Sequence, residues 1–245
     1  MDSFAQELID ETIHRIPRGD MPTSSLVARR WRHTSQRRHF EFVRFSRDDL
    51  IFWEANIPRD PDGIPSYVRH VRFQHNSHRS GPAIFVRVLR TFRSIVSLMM
   101  VNIGGLRPEG LVSPVLFSEF GKNITRLTLA SMLYIPFTGA MALIFSFPNL
   151  KELVINNIHS PAPDEPPMTL PDASQKGSLE LLILQMTPKE VSANLAQNRF
   201  TSRTVRLNPC DESAELFAIH SSETVVALTL AGMQLLRVFG ERDEC

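Results

Sequence analysis

Phe147–Asn156, FPNLKELVIN, carries the spacing apolar-x-x-apolar-x-apolar on Leu150, Leu153 and Ile155. The same spacing recurs at Val68/Val71/Phe73, Ile95/Leu98/Met100, Ile124/Leu127/Leu129, Leu179/Leu182/Leu184 and Val225/Leu228/Leu230. A further copy at Ser202/Val205/Leu207 is imperfect, because Ser202 is polar. Between middle positions the steps are 27, 29, 26, 29, 23 and 23 residues. A near-constant period in this range marks stacked repeat units, a solenoid.

Within each copy the last residues alternate inward and outward with period two, so each copy predicts a short strand with one buried face. One repeat cannot bury that face alone, and neighbours must line their strands into a parallel sheet. The spacing resembles the strand half of a leucine-rich repeat. Three residues past the last apolar position such repeats usually carry Asn or Cys; here the positions read Asn76, Ile103, Met132, Ile158, Thr187, Cys210 and Met233. Only Asn76 and Cys210 fit, so the chain resembles a degenerate repeat family without a regular asparagine ladder.

The 245 residues, 42% apolar and 22% charged, are ordinary for a globular protein. A formal charge of +1 gives no global attraction to nucleic acid or anionic membrane. Two cysteines, Cys210 and Cys245, argue against a disulfide framework and fit a reducing compartment. The acidic start, with Glu7, Asp10 and Glu11, does not read as a signal peptide, and the apolar run around Gly139–Phe147 is too short to span a bilayer. The expected location is cytoplasmic, nuclear or both.

Residues 1–45 are a different object. Leu8, Ile9, Ile13 and Ile16 form a helical stripe stopped by Pro17 and an Arg18-Gly19-Asp20 turn. Met21, Leu26, Val27 and Trp31 follow, then the basic run Arg29, Arg30, Arg32, Arg37 and Arg38, which reads as the solvated face of an amphipathic helix. Three short helices make too small a core to stand alone.

The stretch FAQELIDETIHRIPRGDMPTSSLVARRWRHTSQ resembles the F-box, the helical motif that docks on the Skp adaptor of cullin-type ubiquitin ligases. The usual Leu-Pro-x-Glu-Leu opening falls on Phe4, Ala5, Gln6, Glu7 and Leu8, without the proline. The Asp-Leu step falls on Asp20-Met21, and the Ser-Leu-Val-Cys-x-x-Trp tail on Ser25-Leu26-Val27-Ala28-Arg29-Arg30-Trp31. With the linker IPRDPDGIPSYVRHVRF, the whole is similar to fungal F-box proteins with leucine-rich repeats. The resemblance implies adaptor contacts from Phe4, Leu8, Ile9, Ile13, Ile16, Met21, Leu26, Val27 and Trp31. A plain reading stands beside it: the helices cap the first repeat and nothing more.

The expected organisation is an F-box-like module over 1–45, a linker over 46–66 and the repeat solenoid over 67–245. The fold class is α/β: a three-helix module, then a short right-handed solenoid whose parallel sheet has about seven strands. HFEFVRF, His39–Phe45, alternates as a strand leading into the sheet, and Asp48–Asn56 reads as a helix. Ala83–Phe92, Thr138–Phe147, Lys189–Arg199 and Glu212–His220 carry helical spacing, with Pro82 and Pro188 at helix starts. Residues 157–177, with five prolines, read as a long exposed loop. The end after Leu230 reads either as a minimal helical cap or as a shortened form of a longer protein.

No Gly-x-Ser-x-Gly elbow, phosphate-cradling loop or His-Glu-x-x-His is present. His70, His75 and His78 lack a fourth ligand nearby, and Cys210 reads as a buried structural thiol, so no metal, cofactor or catalytic residue is assigned. What remains is a surface. Between the last two apolar positions of each strand sit Arg72, Met99, Thr128, Val154, Ile183, Arg206 and Thr229, an apolar centre with arginines toward the flanks, which is expected either to hold a partner protein or to lie under the proline-rich loop or a C-terminal segment. The resemblance implies a non-catalytic substrate receptor that holds a target protein on this face and binds the Skp adaptor and cullin scaffold through the helices. The alternative is a repeat scaffold with no ligase role.

Overall fold

A computed structural model describes residues 2–27, 29–56, 63–74, 82–102, 121–131, 143–157, 178–185, 201–207 and 227–230. Helix α1 (Asp2–Arg15) ends before Pro17, which disfavours helical backbone at Ile16. A 3-10 turn (Arg18–Asp20) leads into α2 (Met21–Val27) and α3 (Arg29–Phe40). Ile9, Ile13 and Met21 make a small buried core, with Ile16 and Trp31 packed against it. Two buried hydroxyls sit beside it: Ser24 Oγ donates to the Met21 carbonyl at 2.9 Å and lies within hydrogen-bond distance of Ser35 Oγ, at 3.2 Å. Pairing removes the desolvation cost that either hydroxyl would carry alone.

Strand β1 (Phe42–Phe45) follows, then α4 (Arg47–Asn56) and α5 (Ile64–Tyr67). The remaining strands are β2 (His70–Gln74), β3 (Ser97–Val101), β4 (Arg126–Ala130), β5 (Glu152–Asn156), β6 (Ser178–Gln185), β7 (Thr201–Leu207) and β8 (Ala227–Leu230). Helix α6 (Pro82–Leu89) lies between β2 and β3 and starts on the expected proline. The strands form one all-parallel sheet in chain order, β1 to β8. Seven of them stand at the seven copies of the repeat spacing. The eighth, β1, enlarges the expected sheet by one strand and pairs Val43 with Val71. The register aligns Val71, Leu98, Leu127, Leu153, Leu182, Val205 and Leu228 in a single row. The first six are buried, as period-two alternation with one covered face requires.

A backbone ladder fixes that register at the strand starts. The carbonyl just before a strand accepts from two successive N–H groups of the next repeat. Glu41 O takes Arg69 and His70, Arg69 O takes Val96 and Ser97, and Val96 O takes Thr125 and Arg126. Thr125 O takes Lys151 and Glu152, and Lys151 O takes Glu180 and Leu181, at 2.7–3.1 Å throughout the series. Side chains add to it where the repeat allows. Asn123 Nδ2 donates to Arg93 O at 3.0 Å and Asn149 Nδ2 to Lys122 O at 2.8 Å. Past the strand ends, Asn102, Ser131 and Asn157 adopt left-handed backbone with φ of 54°, 52° and 55°. Their N–H groups donate to Ala130, Asn156 and Gln185 of the next repeat.

Residues 46–66, read from sequence as a linker, hold α4 and α5, and α4 packs on α6. Ser46 and Asp49 cap α4 reciprocally: Ser46 N–H donates to Asp49 Oδ2 at 2.7 Å and Asp49 N–H to Ser46 Oγ at 3.3 Å. Trp53 of α4 meets Phe45 and Phe92 edge-on, at centroid distances of 5.1 and 5.5 Å. Phe40, at the end of α3, reaches the same cluster and ties the N-terminal helices to the main core. The helices expected over 189–199 and 212–220 and the proline-rich loop after Asn157 lie outside the described residues, as does the segment after Leu230.

Candidate partner-binding face

The sheet has one face turned to the core; on the other, which no described element covers, the described side chains are partly buried or exposed. On that face Arg44, Arg72, Met99, Thr128, Val154, Ile183 and Arg206 fall in one unbroken row, each register partner to the next, and Thr229 is the register partner of Arg206. Six of the seven residues singled out from sequence for this surface, Arg72, Met99, Thr128, Val154, Ile183 and Arg206, are therefore brought together, and Thr229 continues their register. Arg206 is exposed and the other five are partly buried. Arg44 is a member that the sequence reading missed. Phe40/Val43/Phe45 repeats the apolar spacing 28 residues before Val71, and this signal would have placed Arg44 in the row.

Charge on this face is uneven. Arg44 and Arg72 stand directly opposite each other on β1 and β2, a like-charge pairing that is unfavourable without a counter-charge. Arg44 Nη2 donates to the neutral Gln74 Oε1 at 2.6 Å. The Nε of Arg72 is buried and has no hydrogen-bond partner. The strands contribute two carboxylates, and both are engaged: Glu152 grips Arg126 through two bonds of 2.6 and 2.8 Å, and Glu180 binds Lys151 at 2.8 Å. Burial lowers the pKa of His70, on the same face beside Arg72; Glu41 opposes the shift, while Arg126, Arg18 and Arg69 reinforce it. Arg18 also lies 5.9 Å from the centroid of the exposed Phe42 ring.

Along the strand starts runs a side cleft of about 780 Å3, bounded by Arg69, Val96, Lys122, Thr125, Asn149 and Lys151 among others. Its wall is largely the backbone ladder itself.

The residues expected to contact an adaptor divide by exposure. Ile9, Ile13 and Met21 are 8%, 0% and 0% exposed and serve the module's own core, with Ile16 and Trp31 leaning on it. Leu8 is 54% and Leu26 78% exposed, which leaves both free to meet another surface. The side chains of Phe4 and Val27 lie outside the described residues. Ile51 and Phe52 on α4 are a further exposed apolar pair.

His75, His78 and Cys210 also lie outside the described residues. Among those described, no group of three His, Cys, Asp or Glu side chains is placed to hold a metal ion. No described helix is long and apolar enough to cross a membrane. Compared with family models and with curated proteins, the sequence matches none.

Proposed function

We propose that this protein is a non-catalytic receptor built from an F-box-like helical module and a leucine-rich-repeat solenoid. The module would bring it to the Skp adaptor of a cullin ubiquitin ligase, and the sheet face opposite the core would hold a target protein. The observation carrying this reading is the exposure of Leu8 and Leu26 on helices whose Ile9, Ile13 and Met21 are buried and whose Ile16 and Trp31 are half-buried. Large apolar side chains left outside a small core favour a partner surface over solvent. No cofactor enters the mechanism. The receptor acts by proximity, raising the local concentration of a target lysine beside a charged ubiquitin carrier.

The test is capture of purified Skp adaptor by the full-length protein. Wild type binds at micromolar adaptor, and a Leu8→Asp/Leu26→Asp variant loses binding while keeping its circular dichroism. No binding by wild type at that concentration ends the receptor reading.

One observation favours the rival reading, in which the helices only cap a scaffold. Phe40 packs against the main core, its ring 6.4 Å from that of Trp53, and His33 meets Tyr67 of α5 edge-on at 5.3 Å. A cap reading expects removal of residues 1–40 to unfold the sheet, with wild type indifferent to adaptor.

A further inference from the structure

The row begins with two cations, passes through Met99, Thr128, Val154 and Ile183, and meets another cation at Arg206 before Thr229. Arg44 and Arg72 sit side by side; the Asp49 carboxylate interacts electrostatically with Arg44, whereas the Arg72 Nε is buried without a hydrogen-bond partner. Neither strand carboxylate is free, because Arg126 and Lys151 already hold them. A guanidinium is a planar fork built for bidentate pairing with a carboxylate, so two together suit an anion. Met99, Val154 and Ile183, with Thr128 between the first two, then make a mainly apolar strip, and Arg206 follows on β7. From Arg72 to Arg206 is five strand steps, roughly 24 Å at the usual inter-strand spacing. An extended chain covers that distance in about seven residues.

From this pattern we infer that the sheet face carrying this row binds an extended segment of a partner protein carrying a carboxylate at each end of a short apolar centre. The first carboxylate pairs with Arg44 and Arg72, the apolar side chains lie on Met99, Val154 and Ile183, and the second carboxylate pairs with Arg206. The inference rests on the receptor reading for its biological setting and specifies the target's chemistry. It is independent of whether the adaptor binds.

The experiment uses the full-length protein and a fluorescein-labelled peptide with one glutamate at each end of six alternating valines and threonines, read by fluorescence anisotropy. Versions with glutamine or lysine at both ends serve as controls. The glutamate peptide binds at micromolar protein, at least tenfold more tightly than the glutamine peptide, and weakens as salt is raised. Arg72→Gln and, separately, the exposed Arg206→Gln each reduce affinity severalfold with unchanged circular dichroism, and Arg72→Glu regains binding to the lysine peptide. Equal affinity for glutamate and glutamine peptides, or indifference to both arginine substitutions, overturns the inference. So does sedimentation in which wild type dimerises and Arg206→Gln does not, because a second copy then covers the row. Adaptor capture measured on the same preparations separates the two proposals. Peptide recognition without adaptor binding removes only the ligase role, and adaptor binding without charge discrimination removes only this one.

Discussion

Asn149 reaches back one repeat and donates its side-chain amide to the carbonyl oxygen of Lys122 at 2.8 Å. Asn123 does the same to Arg93. Each bond lies at the rim of the sheet, where the chain enters a strand, so it locks neighbouring repeats without occupying the face opposite the core. Asn149→Ala removes one such bond from an exposed position and lowers stability by about 1 kcal/mol in urea denaturation. A loss below the error of that measurement would mean that the backbone ladder alone sets the register.

Leu153 and Val154 are adjacent in sequence but face opposite sides of β5: Leu153 is fully buried and Val154 is half-buried. Leu153→Ala therefore costs about 2–5 kcal/mol through lost burial and the cavity left behind. Val154→Thr should stay within about 0.5 kcal/mol, as surface changes usually do. Similar losses for the two would contradict the assignment of faces.

Gly121 is buried against the next repeat. A Cβ there would lie 2.9 Å from the Ser146 carbonyl oxygen and 3.2 Å from Phe147 Cδ1. Since a backbone oxygen cannot swing aside as a side chain can, Gly121→Ala is predicted to destabilise by about 1–3 kcal/mol. A thermal midpoint equal to wild type would show that the Lys122–Asn149 contact yields freely.

The α4 cap carries a pH signature. The Ser46 hydroxyl first, then its backbone N–H, hold the Asp49 carboxyl below its usual value. A carboxylate with a lowered folded pKa stabilises above its unfolded value, and that contribution fades as pH falls through the folded one. Asp49→Asn should accordingly flatten the acid limb of the stability–pH curve below about pH 4, and leave the curve's shape near neutrality unchanged. Ser46→Ala should cost about 1 kcal/mol near neutral pH.

The strands were legible because burial on one face of a sheet writes a period-two pattern locally, as at Leu127/Leu129 and Leu153/Ile155. The row from Arg72 to Arg206 followed from that pattern by counting. Two things were harder to read. Phe40 belongs both to a helix and to the apolar spacing that opens β1, and the basic helical run around it masked the repeat. The asparagine ladder was sought three residues past the last apolar position, but the working asparagines, Asn123 and Asn149, precede the first one at Ile124 and Leu150. The exposure of Leu8 and Leu26 depends on how three helices pack, and no local pattern separates them from the buried Ile9 and Ile13.

Each carbonyl of the rim ladder serves only the repeat that follows it, from Glu41 through to Lys151. Excising or duplicating the stretch between two equivalent carbonyls therefore leaves every other junction chemically intact. A lineage carrying this architecture can lengthen or shorten its recognition surface by recombination of whole units, while one residue inserted inside a strand would turn its buried side chains outward.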